Sequence, residues 1–423
     1  MLFTFTGRAT RHMARNSFIS GLLLAAVLGA PTAARAQCAQ AWVPGIGTPG
    51  LNNQVSALTV APSGEVFVGG QFTTANGILS NGLARYQPTT STWRSSPWGS
   101  TFALATSPGG DVLVGGSTAI GTDGSYNIGK FDTDLPSVTP RSPLYFGLGG
   151  AGTAVNAIVQ LPGALGDVFA GGNFTSAAPS LTAFRIARYS HTTGRWSNLP
   201  NPLGDGTSGP VNALALSPSG DVILGGAFAG VGLTAGASRI ASYSPTTGAW
   251  SALGAGVNGD VNALAVLPSG EVFAGGAFTI AGGNAANRVA RYNPTTNTWS
   301  ALGAGTDGVV SALRLLADGD LLVGGTFTSA GGVPASNIAR YSPATNTWSA
   351  LGAGTNGAVR AFAILPGGDV IIGGAFTSAG GSTANRIARY SPGTAAPIIT
   401  TQPQPVVTVT GNSRSSSAAR PAA

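Results

Sequence analysis

The sequence has one cysteine and two histidines among its 423 residues. Because Cys38 has no second cysteine to pair with, no disulfide can form within the chain and no cysteine-based metal cluster can assemble. Zinc and copper sites need several His or Cys ligands, and a catalytic triad needs a histidine beside a nucleophile and an acid. His12 and His191 cannot supply such sets. We therefore expect no metal, no cofactor and no catalytic triad.

Charge is scarce as well, since charged residues make up 8% of the chain, against roughly 25% in a typical soluble domain. The apolar share of 43% nevertheless predicts a folded chain rather than a disordered one. The net charge of +7 arises at the ends, because six arginines lie there and all 14 acidic residues lie between Glu65 and Asp369. A nucleic-acid binder needs a concentrated basic face, so we expect no nucleic-acid partner.

The first 36 residues have the pattern of a secretory signal peptide. Three arginines precede the apolar stretch 18–30, and Ala34-Arg35-Ala36 fits an A-x-A cleavage site. The apolar stretch is shorter than the ~20 residues that span a bilayer, so we expect no transmembrane segment. The prediction is a secreted or extracytoplasmic protein, in the periplasm or at the cell surface, after cleavage near Ala36.

A repeat of about 50 residues fills the remainder, and glycine is abundant, at 65 residues. Gly-Gly doublets end short apolar runs at 69–70, 115–116, 171–172, 225–226, 275–276, 324–325 and 373–374. In each copy four short β-rich runs are separated by Gly, Pro, Ser and Asn turns, as in 261–303. Four strands per repeat of this length are typical of a propeller blade. The predicted fold is all-β: a seven-bladed β-propeller over residues 37–392, with four antiparallel strands per blade.

The last copy, from Gly373 to Pro392, ends before its fourth strand. Residues 40–58 align with 346–364 and place Trp42 at the position of Trp348. We therefore expect residues 41–46 to pair with 386–391, complete the last blade and close the ring, which removes exposed sheet edges.

An apolar run ending in Gly-Gly, then a Tyr, then a Trp seven residues later, resembles the kelch-type β-propeller repeat. The FTSAGG and IARY segments are similar to those of bacterial secreted repeat proteins of that broad superfamily. The resemblance covers about 42–392. The aromatic positions of the fourth strands are Trp42, Trp93, Tyr145, Trp196, Trp250, Trp299 and Trp348. The superfamily includes protein-binding scaffolds and a copper oxidase, so the fold does not determine function.

Repeated charges mark two further positions of each copy. An acid precedes the second strand at Glu65, Asp111, Asp167, Asp221, Glu271, Asp320 and Asp369. A base recurs in the third strand at Arg85, Lys130, Arg188, Arg291, Arg340 and Arg389. Seven catalytic acids in seven copies would be implausible, so we expect structural roles for both sets, including pairing between them.

Candidate ligand-binding residues lie where the repeat is irregular. Trp98 is the one Trp outside the repeat register, and Tyr126 and Phe184 replace the Asn of other copies. Asp205 lies in an insertion at 200–209. The second-to-third and fourth-to-first connections share one face of a propeller, and exposed aromatic side chains on such loops bind sugars or proteins. We therefore expect Trp98, Tyr126 and Phe184 to be exposed. The alternative is that these residues fill local gaps in divergent blades.

The function predicted from the sequence is an exported, non-catalytic binding module, expected to be a monomer, that recognises a glycan or a protein on this irregular face. One alternative is an extracellular carbohydrate-active hydrolase or lyase that uses acids of the same face. Another is a structural module of a larger envelope protein. Residues 393–423 are predicted to be disordered or truncated, and 396–413 resemble the opening strand of a bacterial immunoglobulin-like module.

Overall fold

A computed structural model describes residues 41–43, 46, 48–96, 98–120, 125–131, 147–149, 153–163, 166–177, 181–201, 204–231 and 237–392. Within these residues the chain forms β-strands and turns and no helix. Consequently none of them belongs to an apolar helix that could cross a bilayer. The predicted signal peptide, Tyr145 and the tail 393–423 lie outside the described residues.

Each copy of the repeat folds into an antiparallel sheet, numbered here in chain order, in which the first strand pairs with the second and the second with the third. A fourth strand pairs with the third in every sheet except sheet 2 of the described chain. Sheet 1 comprises Val55–Val60, Val66–Gly70, Leu83–Gln87 and Thr92–Ser95. Sheet 2 comprises Thr101–Thr106, Val112–Ile120 and Ser125–Phe131. Sheet 3 comprises Val155–Gln160, Val168–Gly172, Ile186–Ser190 and Arg195–Ser197. Sheet 4 comprises Val211–Leu216, Val222–Gly226, Ile240–Tyr243 and Trp250–Ala252. Sheet 5 comprises Val261–Val266, Val272–Gly276, Val289–Asn293 and Thr298–Ala301. Sheet 6 comprises Val309–Leu315, Leu321–Thr326, Ile338–Ser342 and Thr347–Ala350. The first five residues of each second strand, up to the Gly-Gly doublet, are buried because neighbouring sheets cover both faces of the strand.

Sheet 7 takes its fourth strand from the start of the described chain. Its strands are Val359–Ile364, Val370–Gly374, Ile387–Ser391 and Ala41–Val43. Trp42 lies opposite Tyr390, and Val43 lies opposite Arg389. The described strand covers residues 41–43 of the predicted 41–46, and residues 44 and 45 lie outside the described residues. Sheet 2 has three strands in the described part of the chain, and its expected fourth strand, with Tyr145, lies outside it.

Short hairpins connect the second and third strands of most sheets. They are Thr74–Ala75 with Ile78–Leu79, Ser176–Ala177 with Leu181–Thr182, Ile280–Ala281 with Asn284–Ala285, Ser329–Ala330 with Val333–Pro334, and Ser378–Ala379 with Ser382–Thr383. The strand Leu148–Gly149 adds to the Ser176–Ala177 hairpin. Pro200–Asn201 and Gly204–Asp205 form a further hairpin before sheet 4.

The Gly-Gly doublets allow neighbouring sheets to pack closely. A Cβ on the first glycine of each doublet would lie 2.4–2.6 Å from a methyl carbon of a Val or Thr in the first strand of the following sheet. The contacts are Gly69 to Thr101, Gly115 to Val155, Gly171 to Val211, Gly225 to Val261, Gly275 to Val310, Gly324 to Val359 and Gly373 to Val55. The last contact joins sheet 7 to sheet 1. Any larger residue at these positions would force the sheets apart.

The first strands line a common cavity of about 250 Å³. Its wall contains residues from the first strand of every one of the seven sheets, among them Phe102, Asn156 and Arg360. Core clusters likewise lie between sheets: one contains Val55 and Val68 of sheet 1 together with Ala361 and Ile371 of sheet 7.

The Tyr and Trp seven residues apart form a cross-strand pair at the outer edge of a sheet. Tyr292 lies opposite Trp299 with ring centroids 5.3 Å apart, and Tyr390 lies opposite Trp42 at 5.4 Å. The Trp indole also donates to a leucine carbonyl of the preceding repeat. These bonds are Trp299 to Leu253 at 2.7 Å, Trp348 to Leu302 at 2.9 Å and Trp42 to Leu351 at 3.1 Å. Trp42 therefore makes the same contacts as the Trp of an uninterrupted repeat.

The repeated acids and bases pair across the second and third strands, as expected. The ion pairs are Glu65 with Arg85, Asp111 with Lys130, Asp167 with Arg188, Glu271 with Arg291, Asp320 with Arg340 and Asp369 with Arg389. In three sheets the guanidinium also lies 5.9–6.0 Å from the centroid of a phenylalanine ring in the second strand. The repeated charged residues thus form contacts within their own sheets.

The contact between the last and first sheets can be measured with a double-mutant cycle. Gly373→Ala should cost about 1–3 kcal/mol of unfolding free energy, because its Cβ would overlap Val55. Val55→Ala should cost about 2 kcal/mol or more through the cavity that it leaves. Because the smaller side chain makes room for the added methyl, the double variant should lose at least ~1 kcal/mol less than the two single losses together. Chemical denaturation measures all three.

Gly367→Ala is the matched control, because nothing lies within 4 Å of its added Cβ. It should change the free energy of unfolding by no more than about 0.5 kcal/mol. Strict additivity of Gly373→Ala and Val55→Ala would contradict the packing described for this pair.

Candidate binding surface

The connections that enter a sheet lie against the second-to-third hairpin of the same sheet. Isolated antiparallel bridges join Leu51 to Ala75, Val257 to Ala281, Thr306 to Ala330 and Thr355 to Ala379. The two kinds of connection therefore share one side of the sheets, as the sequence predicts. We call this side the hairpin face. The first-to-second turns lie at the opposite ends of the strands.

A repeated amide or carboxylate ties the two connections of the hairpin face together. The side-chain oxygen of Asn258 accepts hydrogen bonds from the backbone N–H groups of Thr279 and Ile280, both at 2.8 Å. Asn52 and Asn356 make equivalent bonds in sheets 1 and 7. In sheet 6 the residue is Asp307, which receives bonds from the backbone of Thr328 and Ser329 and from the Thr328 hydroxyl. Asp307 thus has a structural role.

The hydrogen bonds set the direction of the Asp307 pKa. Desolvation acts to raise it, and the bonds from the Thr328 hydroxyl and from the backbone N–H groups outweigh that effect and lower the pKa below its ordinary value of 3.8. These bonds therefore favour the ionised carboxylate in the folded protein.

All five large apolar side chains that are exposed in the described residues lie on second-to-third connections. They are Ile78, Leu79, Phe184, Ile280 and Val333. Leu79 is 76% exposed. Sequence reasoning missed the four aliphatic residues, although a signal is present: sheet 7 has polar residues at the equivalent positions, with Ser378, Ser382 and Thr383. The hairpin face thus concentrates apolar surface that the core does not use.

Phe184 is the predicted site residue that the structure places in the open. Its side chain is 38% exposed, and its carbonyl accepts the Thr207 N–H at 3.0 Å. In sheets 5 and 7 an asparagine occupies this position and donates to the neighbouring connection: Asn287 to the Ala304 carbonyl at 3.0 Å and Asn385 to the Pro49 carbonyl at 2.9 Å. Phe184 exchanges that structural amide for an exposed ring.

The backbone of Asp205 lies near Phe184, because the next residue, Gly206, forms a parallel bridge with Phe184. Asp205 itself pairs with Pro200 in the hairpin of the insertion. Tyr126 lies in the third strand of sheet 2, opposite Ala119 and beside a register shift. The side chains of Asp205 and Tyr126 lie outside the described part of the structure, and their proposed contacts with a ligand stay predictions.

The expectation that Trp98 is exposed is wrong. Its side chain is 6% exposed and lies in a core cluster with Phe67 and Phe131, its ring centroid 4.8 Å from that of Phe131. The cause is Gly129, which replaces the alanine of other copies: a Cβ there would lie 2.3 Å from the Trp98 ring. Trp98 therefore fills a gap in a divergent repeat, which was the alternative considered. The signal in the sequence is the change from IARY to IGKF at 128–131.

Comparison with known proteins agrees with this architecture. Residues 305–419 match the family described as the Rax2 C-terminal beta propeller domain, and residues 61–89 and 267–295 match a beta-propeller domain of unknown function, DUF5122. No curated protein matches the chain.

Two solved structures share the fold at low sequence identity. A streptogramin B lyase is 12% identical with a TM-score of 0.50, over 84% of this chain and 96% of the lyase. The WD40 beta propeller domain of Doa1 is 12% identical with a TM-score of 0.52, over 83% of this chain and 94% of that domain. The protein is therefore an all-β chain with a β-propeller fold. A propeller domain favours a binding or scaffold role. Similarity of fold at 12% identity does not assign the activity of the similar proteins to this chain.

The role of Asp307 gives a test with an internal reference. Asp307→Asn should change the free energy of unfolding by less than ~0.5 kcal/mol at pH 7, because Asn258 makes the same bonds in sheet 5. Asp307→Ala should cost about 1 kcal/mol, since it leaves two backbone N–H groups without their partner.

The pH dependence follows from the lowered pKa of Asp307. Its stabilising contribution is present above the ordinary value of 3.8 and is lost as the pH falls through the lower folded value. The difference in stability between wild type and Asp307→Asn should therefore change only in that acid range. A change centred near neutral pH would contradict this role.

Proposed function

We propose that this protein is an exported, non-catalytic binding module: a closed seven-bladed β-propeller that holds a protein or glycan ligand on its hairpin face. The observation that carries the proposal is that all exposed large apolar side chains of the described residues lie on that face. Rigid scaffolds present binding residues on such connections.

The seven-bladed, closed form is supported by contacts between the first and the last described strands of the repeat region. Gly373 of sheet 7 contacts Val55 of sheet 1 as the other doublets contact their next sheet. Trp42 donates to Leu351 as Trp348 does to Leu302. A cavity lined by all seven first strands also fits one ring around an axis. The kelch-type relationship, inferred from the Gly-Gly, Tyr and Trp spacing, is part of the same proposal.

The side chains exposed on the hairpin face favour a protein partner and are also compatible with a sugar ligand. Leu79 and Ile78 offer aliphatic surface of the kind that packs against apolar side chains of a partner. Phe184 offers an aromatic face, which suits either a protein or a sugar ring. The backbone of Asp205 lies near that of Phe184, because Gly206 forms a bridge with Phe184, and the Asp205 carboxylate would add a hydrogen-bond acceptor.

Catalysis by acids of this face is the alternative, and the described acids give it less support. Asp307 is bound to backbone N–H groups, and Asp260 pairs with Arg239 at 2.5 Å. Both carboxylates therefore have structural partners. Asp205, whose side chain lies outside the described residues, is the acid predicted from the sequence that stays a candidate for an enzyme. A role as one structural module of a larger envelope protein is compatible with the same apolar face.

Export belongs to the proposal and rests on the pattern of residues 1–36. If the signal is cleaved after Ala36, the exported protein should begin at Gln37. Mass spectrometry of the N-terminal peptide recovered from outside the cytoplasm checks this. An intact N-terminus on protein recovered only from the cytoplasm would contradict export.

The binding surface can be tested with one double variant. Leu79→Asp combined with Phe184→Asp should lower ligand retention at least about tenfold in glycan-array and surface cross-linking assays, because it places charges in the apolar contact. Both residues are exposed, so the melting temperature should stay nearly constant. Ala344→Asp, on the exposed third-to-fourth turn of sheet 6, is the matched control and should leave retention unchanged. Equal retention by both variants would contradict the placement of the site.

A further inference from the structure

Within the described residues, sheet 4 lacks the ion pair between the repeated acid and base that the other six sheets contain. Its acid is present as Asp221, and the third-strand position of the base is Ser242. Ser242 lies opposite Ile223 in the second strand and opposite Ser251 in the fourth. In sheet 5 the same two positions of the second and third strands hold Phe273 and Arg291. Both side chains that fill this space in sheet 5 are therefore smaller in sheet 4.

A pocket of about 440 Å³ occupies the place of the missing side chain. Asp221, Ser242 and Ser251 line it from sheet 4, and Pro268, Tyr292 and Pro294 line it from sheet 5. No lysine or arginine is among the residues of its wall. The pocket is thus a space between two packed sheets with one carboxylate on its surface.

The Asp221 carboxylate has acceptor capacity that the described residues do not use. It accepts a hydrogen bond from the Ser219 hydroxyl at 2.8 Å, and no ion pair to it occurs within the described part of the chain. The equivalent Glu271 accepts from the Arg291 guanidinium at 2.6 Å and 2.5 Å. A half-buried carboxylate beside a cavity attracts a cation more strongly than one in open water.

We propose that this pocket binds a guanidinium group, supplied as an arginine side chain by a protein partner. The partner's arginine would take the place that Arg291 and its equivalents fill within the other sheets, with its guanidinium on Asp221. Ser242 and Ser251 offer further hydroxyl acceptors, and Pro268 and Tyr292 offer apolar contact for the methylene stem. The planar guanidinium fits a carboxylate through two parallel bonds, which an ammonium cannot form.

The pocket is separate from the hairpin face. Asp221 precedes the first residue of the second strand of sheet 4, and the connection to the hairpin face leaves the other end of that strand at Gly226. The proposal therefore stands independently of ligand binding at Leu79 and Phe184. It assigns a second contact point, on the side that carries the first-to-second turns.

Ligand-observed saturation-transfer NMR with the full chain tests the proposal. The probe is N-acetyl-arginine methylamide, and the neutral citrulline derivative and the lysine derivative serve as comparisons. We expect saturable binding of the arginine derivative, with both comparison compounds at least about tenfold weaker. Absence of saturable arginine binding would overturn the proposal, as would equal affinity for citrulline. Equal affinity for lysine would overturn the preference for a guanidinium.

Two variants locate the binding. Asp221→Asn should weaken binding of the arginine probe at least about tenfold. Ser242→Arg should abolish it and raise the melting temperature, because it restores the ion pair of the other sheets. Asp369→Asn is the matched control: its carboxylate already pairs with Arg389, so probe binding should stay unchanged while stability falls. Binding that survives in both Asp221→Asn and Ser242→Arg, with melting curves that show folded protein, would overturn the assignment.

Discussion

The close approach between a glycine and the first strand of the next sheet is the constraint on which the rest of this structure depends. The branched side chain of Val310 occupies the space that a Cβ of Gly275 would take. The second glycine of the doublet is equally confined, because a Cβ on Gly276 would lie 1.9 Å from the Asp260 carbonyl oxygen. Sheets can therefore stack face to face at close spacing, and cores form between them rather than within them.

The outer edges of the sheets are held by different interactions. Aromatic pairs such as Tyr292 and Trp299 cover the outer strands, and the indole bond to Leu253 joins a sheet to the preceding repeat. The ion pairs lie inward of these, on the third strand. Small residues at the centre, charges farther out and large aromatics at the edge follow the widening space between sheets that radiate from an axis.

The sequence was most informative where the repeat is regular. The period, the four strands, the Tyr–Trp pairing and the match of Trp42 to Trp348 follow from spacing, because each copy experiences the same environment. It was least informative where two departures compensate each other. Trp98 was expected to be exposed, and its place in the core depends on Gly129, a residue 31 positions later that only the fold brings beside it. The exposure of Leu79 was likewise missed, since an apolar residue in a repeat suggests burial until the hairpin is seen.

The pairing of Ala41–Val43 with Ile387–Ser391 has a consequence for the order of events during synthesis. The segment that emerges first among the described strands has its partner at the end of the last repeat, so sheet 7 cannot be completed until residue 391 has been made. Until then the first described strand has no sheet to join. Contacts between such distant segments slow folding. A chain with this topology keeps one sheet incomplete while residues up to 391 are being made, which is the condition that the proposed export through a membrane channel would require.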